Sequence, residues 1–175
     1  MSNLINSIDQ VILENDLPFE WSDKINNELK DISPDKTLKR IDLRKKSFVT
    51  IDGKDAKDFD DAVYCEKETD GFILQVAIAD VADIVDCGSE IDKEAIKRGT
   101  SIYFPKKVIP MLPEKISNDL CSLVPKKDRN VLVCKIYLDI NGDIESYDFQ
   151  EATINSHKRF TYNAVSYTHL TLPTT

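Results

Sequence analysis

The chain has 175 residues, of which 41% are hydrophobic and 31% are charged, enough to build the core of one ordinary domain. No apolar run approaches the roughly 20 residues that a membrane-spanning helix needs, and the first ten residues lack the basic-then-apolar pattern of a signal peptide. These features predict a soluble, cytoplasmic protein. The net charge of −8 would argue against a nucleic-acid partner only if the charge were spread evenly.

The charge is instead segregated along the chain. Residues 52–70 hold eight acidic and three basic side chains, whereas residues 98–135 hold eight basic and three acidic ones. An acidic segment followed by a basic one suits a metal site beside a phosphate-binding surface, although ordinary surface charge would give the same counts. The four cysteines are widely spaced with no CxxC pair, so the sequence favours reduced thiols over a zinc site.

The N-terminal region is predicted to contain two helices and a polar connection. Apolar residues at helical spacing indicate the first helix, which Pro18 ends: Leu4, Ile8, Val11 and Ile12. Ser22 is a suitable N-cap for a second helix that carries Ile25, and Pro34 stops it. Residues 35–46 are polar and indicate a linker.

From Ser47 onward the pattern changes to short strands, at 48–51, 62–65 and 72–79. Ser89 and Gly99 are predicted to bound a helix over 90–97, and residues 101–104 are extended. A proline-rich loop and a short helix over 114–120 follow.

Two further strands, 131–140 and 144–154, flank Asn141-Gly142, a dipeptide typical of a tight hairpin. The predicted fold class is therefore α+β, with a mixed, mostly antiparallel sheet and flanking helices.

Five aspartates fall within ten residues between two predicted strands: Asp52, Asp55, Asp58, Asp60 and Asp61. Carboxylates this close resist ionising beside one another unless a cation compensates them, and oxygen ligands select Mg²⁺, Mn²⁺ or Ca²⁺. The order of residues is not that of an EF-hand loop. It also lacks the last position of the DxDx[TV] motif of an aspartyl phosphatase. A solvated acidic loop explains the cluster equally well from the residues alone.

The spacing D-x5-D-x-DD, formed by Asp52, Asp58, Asp60 and Asp61, resembles the signature of the RNB catalytic domain in the RNase R and RNase II family of exoribonucleases. The segment TIDGKDAKDFDDAVYCEK is most similar to the RNase R branch. The resemblance covers roughly residues 16–165 and includes these segments: VAIADV (76–81), RGTSIYFP (98–105), VIPMLPEKISNDLCSLVP (108–125) and HKRFTY (157–162).

This resemblance implies processive 3′-to-5′ hydrolysis of RNA to nucleoside 5′-monophosphates, with the 3′ end of single-stranded RNA as the partner. The sequence itself indicates no membrane association and gives no evidence of an obligate protein partner. The resemblance assigns Mg²⁺ or Mn²⁺ to the four carboxylates, with Asp60 most essential to the chemistry, and leaves Asp55 a structural or solvated role.

The resemblance also implies RNA contacts outside the aspartate cluster. Tyr103 matches a tyrosine near the terminal nucleotides, where an aromatic face grips any base, although a core tyrosine is the alternative. Phe104 would then point into the core. Lys106 and Lys107 are candidates for phosphate contacts. Asp80, at the end of a strand, either reaches the site or, as we favour, caps the following turn.

The resemblance divides the chain into three parts. Residues 1–46 are predicted to be an arm that precedes the catalytic domain, 47–165 its N-terminal part, and 166–175 an unrelated tail. The flanking OB domains of the family, and the later arginine and glutamate of its active site, do not occur in these residues. We therefore expect the 175 residues alone to be inactive. The alternative is a catalytically incomplete RNA- or metal-binding remnant.

Overall fold

The computed structural model describes residues 2–34 and 39–170. The helices are α1 (Ser2–Glu14), α2 (Asp23–Asp31), α3 (Glu90–Arg98) and α4 (Tyr162–Leu170), with a 3₁₀ turn at Val81–Asp83 and a π-helical turn at Lys115–Leu120. The strands are β1 (Ile41–Asp42), β2 (Val49–Asp52), β3 (Asp61–Lys67), β4 (Gly71–Ala79), β5 (Ile102–Phe104), β6 (Lys107–Ile109), β7 (Asp128–Asp139), β8 (Ile144–Asn155) and β9 (Lys158–Thr161). The chain forms two units: the described residues within 1–33 and 85–115, and those within 34–84 and 116–175.

The first unit confirms the predicted helix caps. The Ser22 hydroxyl accepts a hydrogen bond from the Ile25 amide at 3.4 Å, and the Ser89 hydroxyl accepts one from the Asp92 amide at 3.1 Å. Gly99 closes α3 with a φ of +71°, a conformation that glycine adopts without a steric cost. Local side-chain chemistry therefore sets the ends of these helices.

The predicted loop at 105–113 is partly wrong, because Lys107–Ile109 form a strand that pairs with β5. Pro105 and Lys106 make the two-residue turn between the strands, and Lys106 has a φ of +70°. That position of a Pro-initiated turn usually carries glycine, and the lysine there conceals the turn in the sequence. Along β5, Phe104 packs against a cluster around Ile109, whereas Tyr103 is 66% exposed, so the predicted alternation is confirmed.

The second unit is built on a seven-stranded sheet with the strand order β1-β8-β7-β4-β3-β2-β9. The pairs β3–β4, β4–β7 and β7–β8 are antiparallel, while β1 and β9 add parallel strands next to β8 and β2. This confirms the α+β class and the mixed, mostly antiparallel sheet. The core of this unit includes fully buried strand residues: Thr50, Ala62, Ala77, Val131, Val133, Ala152 and Ile154.

The β7–β8 hairpin turns tightly at the predicted dipeptide. Gly142 has a φ of +91°, and its amide donates to the Asp139 carbonyl oxygen. The Asp139 carboxylate accepts from the backbone amides of Asn141 and Asp143, both at 2.8 Å. Only the glycine adopts positive φ, because the aspartate side chain supports the rest of the turn.

Strand β1 lies inside the predicted arm, where Ile41 pairs with Ala152 of β8. The C-terminal helix α4 enters the predicted tail and is described to Leu170. Residues 35–38 of the arm and 171–175 of the tail lie outside the described residues. The division at residues 46 and 165 stays a prediction. Among the residues that the structure describes, no helix is both long and apolar enough to span a membrane.

Asp80 does not take the capping role that the sequence analysis favoured. It forms an ion pair with Arg40 at 2.8 Å and makes no side-chain hydrogen bond that caps the 3₁₀ turn. Arg40 also binds Asp83 at 3.0 Å, and both of these side chains are almost fully buried. Asp83 accepts in turn from Asn130 on β7 at 2.9 Å. The favoured capping role is therefore wrong, because a buried arginine distant in sequence pairs with this carboxylate.

Candidate active site

The sheet topology gathers the four signature aspartates at one edge of the sheet, where β2 ends and β3 begins. Asp52 is the last residue of β2 and Asp61 the first residue of β3. These strands are antiparallel, with Val49 opposite Val63, so the end of one strand lies beside the start of the other. Asp58 and Asp60 lie in the segment 53–60 that joins the two strands, which we call the aspartate segment; Asp60 is exposed and Asp58 half-buried. Asp55 is exposed in the same segment, as a solvated role requires.

The local environment disfavours ionisation of two of these carboxyls. Burial raises the pKa of Asp52, and the neighbouring charges of Asp61 and Asp60 raise it further. Burial likewise raises the pKa of Asp61, with Asp60 as the second cause. The buried Oδ2 atom of Asp52 has no hydrogen-bond partner among the described residues. Burial and mutual repulsion therefore both act against the charged forms of Asp52 and Asp61 at this edge.

Ser122 holds the aspartate segment from one side. Its hydroxyl accepts from the Phe59 amide at 3.1 Å and donates to the Lys57 carbonyl oxygen at 2.7 Å. The amide of Leu123 donates to the Phe59 carbonyl oxygen at 2.7 Å. Ser122 is only 1% exposed, so water does not compete for these bonds. The backbone between Asp58 and Asp60 is thus fixed to the chain that follows the π-helical turn.

Arg159 holds the segment from strand β9. Its Nη2 atom donates to the carbonyl oxygens of Gly53 and Lys54, at 2.6 and 2.5 Å. Its guanidinium carbon lies 4.8 Å from the centre of the Phe59 ring, a distance typical of a cation–π contact. Its positive charge also acts on Asp52, where it lowers the pKa against the larger raising effects.

Sequence reasoning gave no role to Ser122 or Arg159. Both lie in segments that resemble the RNB domain, NDLCSLVP and HKRFTY, and that resemblance is the only sequence signal that marks them. A serine and an arginine are common surface residues, and their partners lie 65 and 106 positions away in the sequence. Local patterns therefore could not identify them.

The donor set at this edge fits a hard divalent cation, since every candidate ligand is a carboxylate and one buried oxygen is unpartnered. The side chains do not by themselves enclose an ion. Within residues 2–34 and 39–170, no three His, Cys, Asp or Glu side chains are grouped so as to hold a metal. Mg²⁺ usually keeps several waters and takes one or two protein carboxylates, so the chemistry of the donors, not a closed shell, carries the fit.

The predicted RNA-contact residues lie in the other unit. Tyr103 is exposed on β5, and Lys106 forms the turn that follows it. The Lys107 ammonium pairs with Asp9 of α1 at 2.7 Å, and both side chains are about half exposed. Exposed ion pairs of this kind are weak, so Asp9 does not hold the Lys107 ammonium firmly.

Comparison with known proteins identifies relatives that match most of this chain. The RNB domain family matches residues 40–170. A Ribonuclease R from Vibrio parahaemolyticus is 48% identical over 155 residues, which is 86% of this chain and 19% of the relative. The Ribonuclease R of Escherichia coli is 46% identical over 164 residues, 91% of this chain and 20% of the relative. The chain thus spans about a fifth of the length of these relatives.

Solved structures show the same fold. The structure of Mycoplasma genitalium RNase R in complex with double-stranded RNA matches 96% of this chain and 31% of its own, with 40% identity and a TM-score of 0.88. Yeast Ssd1, described as a pseudonuclease, matches 78% of this chain and 17% of its own, with 23% identity and a TM-score of 0.70, a likeness of fold alone. The extent of the family match and the strength of these relationships show that the chain belongs to the RNB domain family.

Proposed function

We propose that these residues form the N-terminal part of the catalytic domain of a processive 3′-to-5′ exoribonuclease that releases nucleoside 5′-monophosphates. The observation that carries the proposal is the gathering of Asp52, Asp58, Asp60 and Asp61 at one sheet edge in a member of the RNB domain family. Relatives named Ribonuclease R supply the reaction class.

The four aspartates would hold Mg²⁺, or Mn²⁺ in its place. Bound there, the ion would polarise the scissile phosphate and lower the pKa of a bound water. The side chains of this chain make the site suitable for a cation. Burial and the neighbouring carboxylates disfavour the ionised forms of Asp52 and Asp61, a cost that a bound cation would offset. The exposed Asp60 presents a carboxylate to solvent, where a phosphate can approach.

RNA binding is proposed to involve the exposed side chain of Tyr103, with Lys106 and Lys107 at the phosphates. A base stacked on an aromatic ring gains about 1–3 kcal/mol irrespective of its identity, which suits an enzyme that removes every nucleotide in turn. The solved RNase R structures from Mycoplasma genitalium contain double-stranded RNA or ribose-methylated single-stranded RNA. We propose that the substrate end is the 3′ end of a single strand.

The test uses a chimera in which residues 16–165 of this chain replace the matching region of Escherichia coli Ribonuclease R. With Mg²⁺, a 5′-labelled single-stranded RNA is expected to shorten progressively from its 3′ end, and mononucleotides are expected from the first time points. The Asp60→Asn chimera is expected to bind RNA with a Kd within about threefold of the parent chimera. Hydrolysis is expected to be abolished, because the amide keeps the side-chain shape and loses its charge.

Three results would contradict the proposal. They are internal cleavage, release of 3′-phosphorylated nucleotides, and substantial activity of the Asp60→Asn variant. Circular dichroism of both chimeras, together with the activity of the unmodified Escherichia coli enzyme, separates a folding defect from a missing activity.

A second candidate is a remnant that binds RNA or metal without hydrolysis. The observation behind it is that the fold also occurs in a protein described as a pseudonuclease, so the fold by itself does not establish hydrolysis. A folded chimera that binds Mn²⁺ and RNA but leaves the label intact would support this candidate.

A further inference from the structure

We propose that Arg159 is a positioning residue that fixes the backbone of the aspartate segment between Asp52 and Asp60. The inference deepens the proposed function, on which its consequence for metal binding rests. It concerns a side chain outside the four carboxylates, with no direct role in the chemistry.

Arg159 touches the segment at both ends. Hydrogen bonds from Nη2 reach the carbonyl oxygens of Gly53 and Lys54, directly after Asp52. The guanidinium also packs on the ring of Phe59, the residue between Asp58 and Asp60. One planar group therefore links the start of the segment to its end, which no other contact described for the segment does.

The sheet directs Arg159 toward this position. Strand β9 runs parallel to β2, and Arg159 is paired with Thr50. Side chains alternate between faces along a strand, so Arg159 shares a face with Thr50 and with Asp52, two residues further along β2. The buried Nε atom of Arg159 has no hydrogen-bond partner among the described residues, so the two carbonyl oxygens are the polar anchors of the guanidinium.

Positioning and simple charge neutralisation predict opposite effects on cation binding. If Arg159 acted only through its charge, its removal would make the edge more negative and would strengthen the binding of a divalent cation. If it holds the segment, its removal releases the carboxylates from a common geometry and weakens binding. Lysine keeps the charge but is a point donor without the planar fork of arginine, so Arg159→Lys separates the two roles.

The first experiment measures Mn²⁺ binding to the 175-residue chain by electron paramagnetic resonance of the free ion. We expect Arg159→Met and Arg159→Lys each to raise the Kd by about tenfold, the order of one lost charge-assisted hydrogen bond. The control is Lys158→Met, which removes one positive charge from the adjacent, exposed position, and its Kd is expected to stay within about twofold. Unchanged or tighter binding by Arg159→Met would overturn the proposal.

The second experiment requires no metal. Lys54 and Lys57 are exposed within the aspartate segment, and Lys67 is exposed at the far end of β3. We expect endoproteinase Lys-C to cut Arg159→Met after Lys54 and Lys57 about tenfold faster than the wild-type chain, with cleavage after Lys67 unchanged. Equal cleavage in the two proteins would overturn the positioning role.

These two readouts keep the inference distinct from the proposed function. A wild-type chain that binds no Mn²⁺ would contradict the metal site, while the proteolysis pattern would still decide whether Arg159 holds the segment. Circular dichroism identifies a variant that does not fold. If Arg159→Met is unfolded, cleavage of Arg159→Lys after Lys54 and Lys57, again relative to Lys67, decides the question.

Discussion

At the scale of single residues, the candidate site brings mutually repelling carboxylates together on a backbone segment that hydrogen bonds hold in place. Asp52 lies at the end of a strand, where burial and the charges of three neighbouring carboxylates raise its pKa. Folding the metal-free chain therefore brings negative charges together in an environment that disfavours them. A protein retains such an arrangement at a cost in stability, which a bound cation would offset.

This arrangement predicts that Asp52→Asn stabilises the metal-free chain at neutral pH. Because the pKa of Asp52 is raised above its ordinary value of 3.8, the native state binds more protons than the unfolded state between the two values. Stability conferred by this residue therefore falls as pH rises through that window. We expect Asp52→Asn to raise Tm by about 2 °C or more at pH 7.

The gain in Tm is expected to shrink as the pH is lowered and to disappear below the ordinary aspartate pKa, where the wild-type carboxyl is protonated in both states. Thermal unfolding by circular dichroism, with EDTA present, measures it. Added Mg²⁺ is expected to raise the Tm of the wild-type chain more than that of the variant. A variant less stable than wild type at pH 7, or a difference independent of pH, would contradict the assignment of strain to Asp52.

At the scale of elements, a buried ionic network joins the approach to β1, the 3₁₀ turn and two long strands. Arg40 binds Asp80 and Asp83, Asp83 accepts from Asn130, and the Thr153 hydroxyl donates to the Asn130 side-chain oxygen at 3.0 Å. Buried charges of this kind add little net stability over an apolar replacement, yet the loss of one partner is costly. We infer that the network contributes to the specific packing of these elements.

We predict that Arg40→Met destabilises the chain by about 3 kcal/mol, because it leaves the carboxylate of Asp83 buried without its cation. Adding Asp83→Asn to the Arg40→Met variant is expected to recover about half of that loss, since the remaining side chain is neutral. Urea unfolding of the wild type and both variants measures the effect. Additive losses in the double variant would show that the two side chains act independently.

Elements set by local chemistry were predictable, whereas those set by distant partners were not. The caps at Ser22 and Ser89 and the hairpin at Gly142 depend on residues within a few positions of one another. Strand β1 has only two residues, too short for an alternating pattern to be visible. The four aspartates are visible because they fall within ten residues and are chemically distinctive. Ser122 and Arg159 contact the backbone of the aspartate segment from far along the chain.

At the scale of the whole chain, the hairpin carries an exposed apolar surface. Ile144, Tyr147 and Phe149 on β8 are each 60–65% exposed, and together with Cys134 and Ile136 of β7 they line one shallow groove. The rings of Tyr147 and Phe149 also contact each other edge to face at 5.8 Å. Contiguous apolar surfaces of this kind promote association.

We predict that the 175-residue chain associates at micromolar concentrations and that a Tyr147→Ser, Phe149→Ser double variant is more monomeric. Sedimentation velocity over a range of concentrations measures this.

We also expect Mg²⁺-dependent hydrolysis of poly(A) by this chain to be slower than by Escherichia coli Ribonuclease R by a factor on the order of 10²–10³ or more, the typical cost of one missing catalytic donor. A soluble monomer with the full rate of the relative would contradict both expectations.

The parallel pairing of β9 with β2 has a consequence for how the protein is made. Arg159 follows Gly53 by 106 positions in the sequence. A ribosome that adds 5–20 residues per second therefore incorporates Arg159 roughly 5–20 s after Gly53. During that interval the nascent chain carries its full set of carboxylates without the strand that holds their backbone in place. The backbone around the four aspartates therefore reaches its final shape only after the long β7–β8 hairpin has been made.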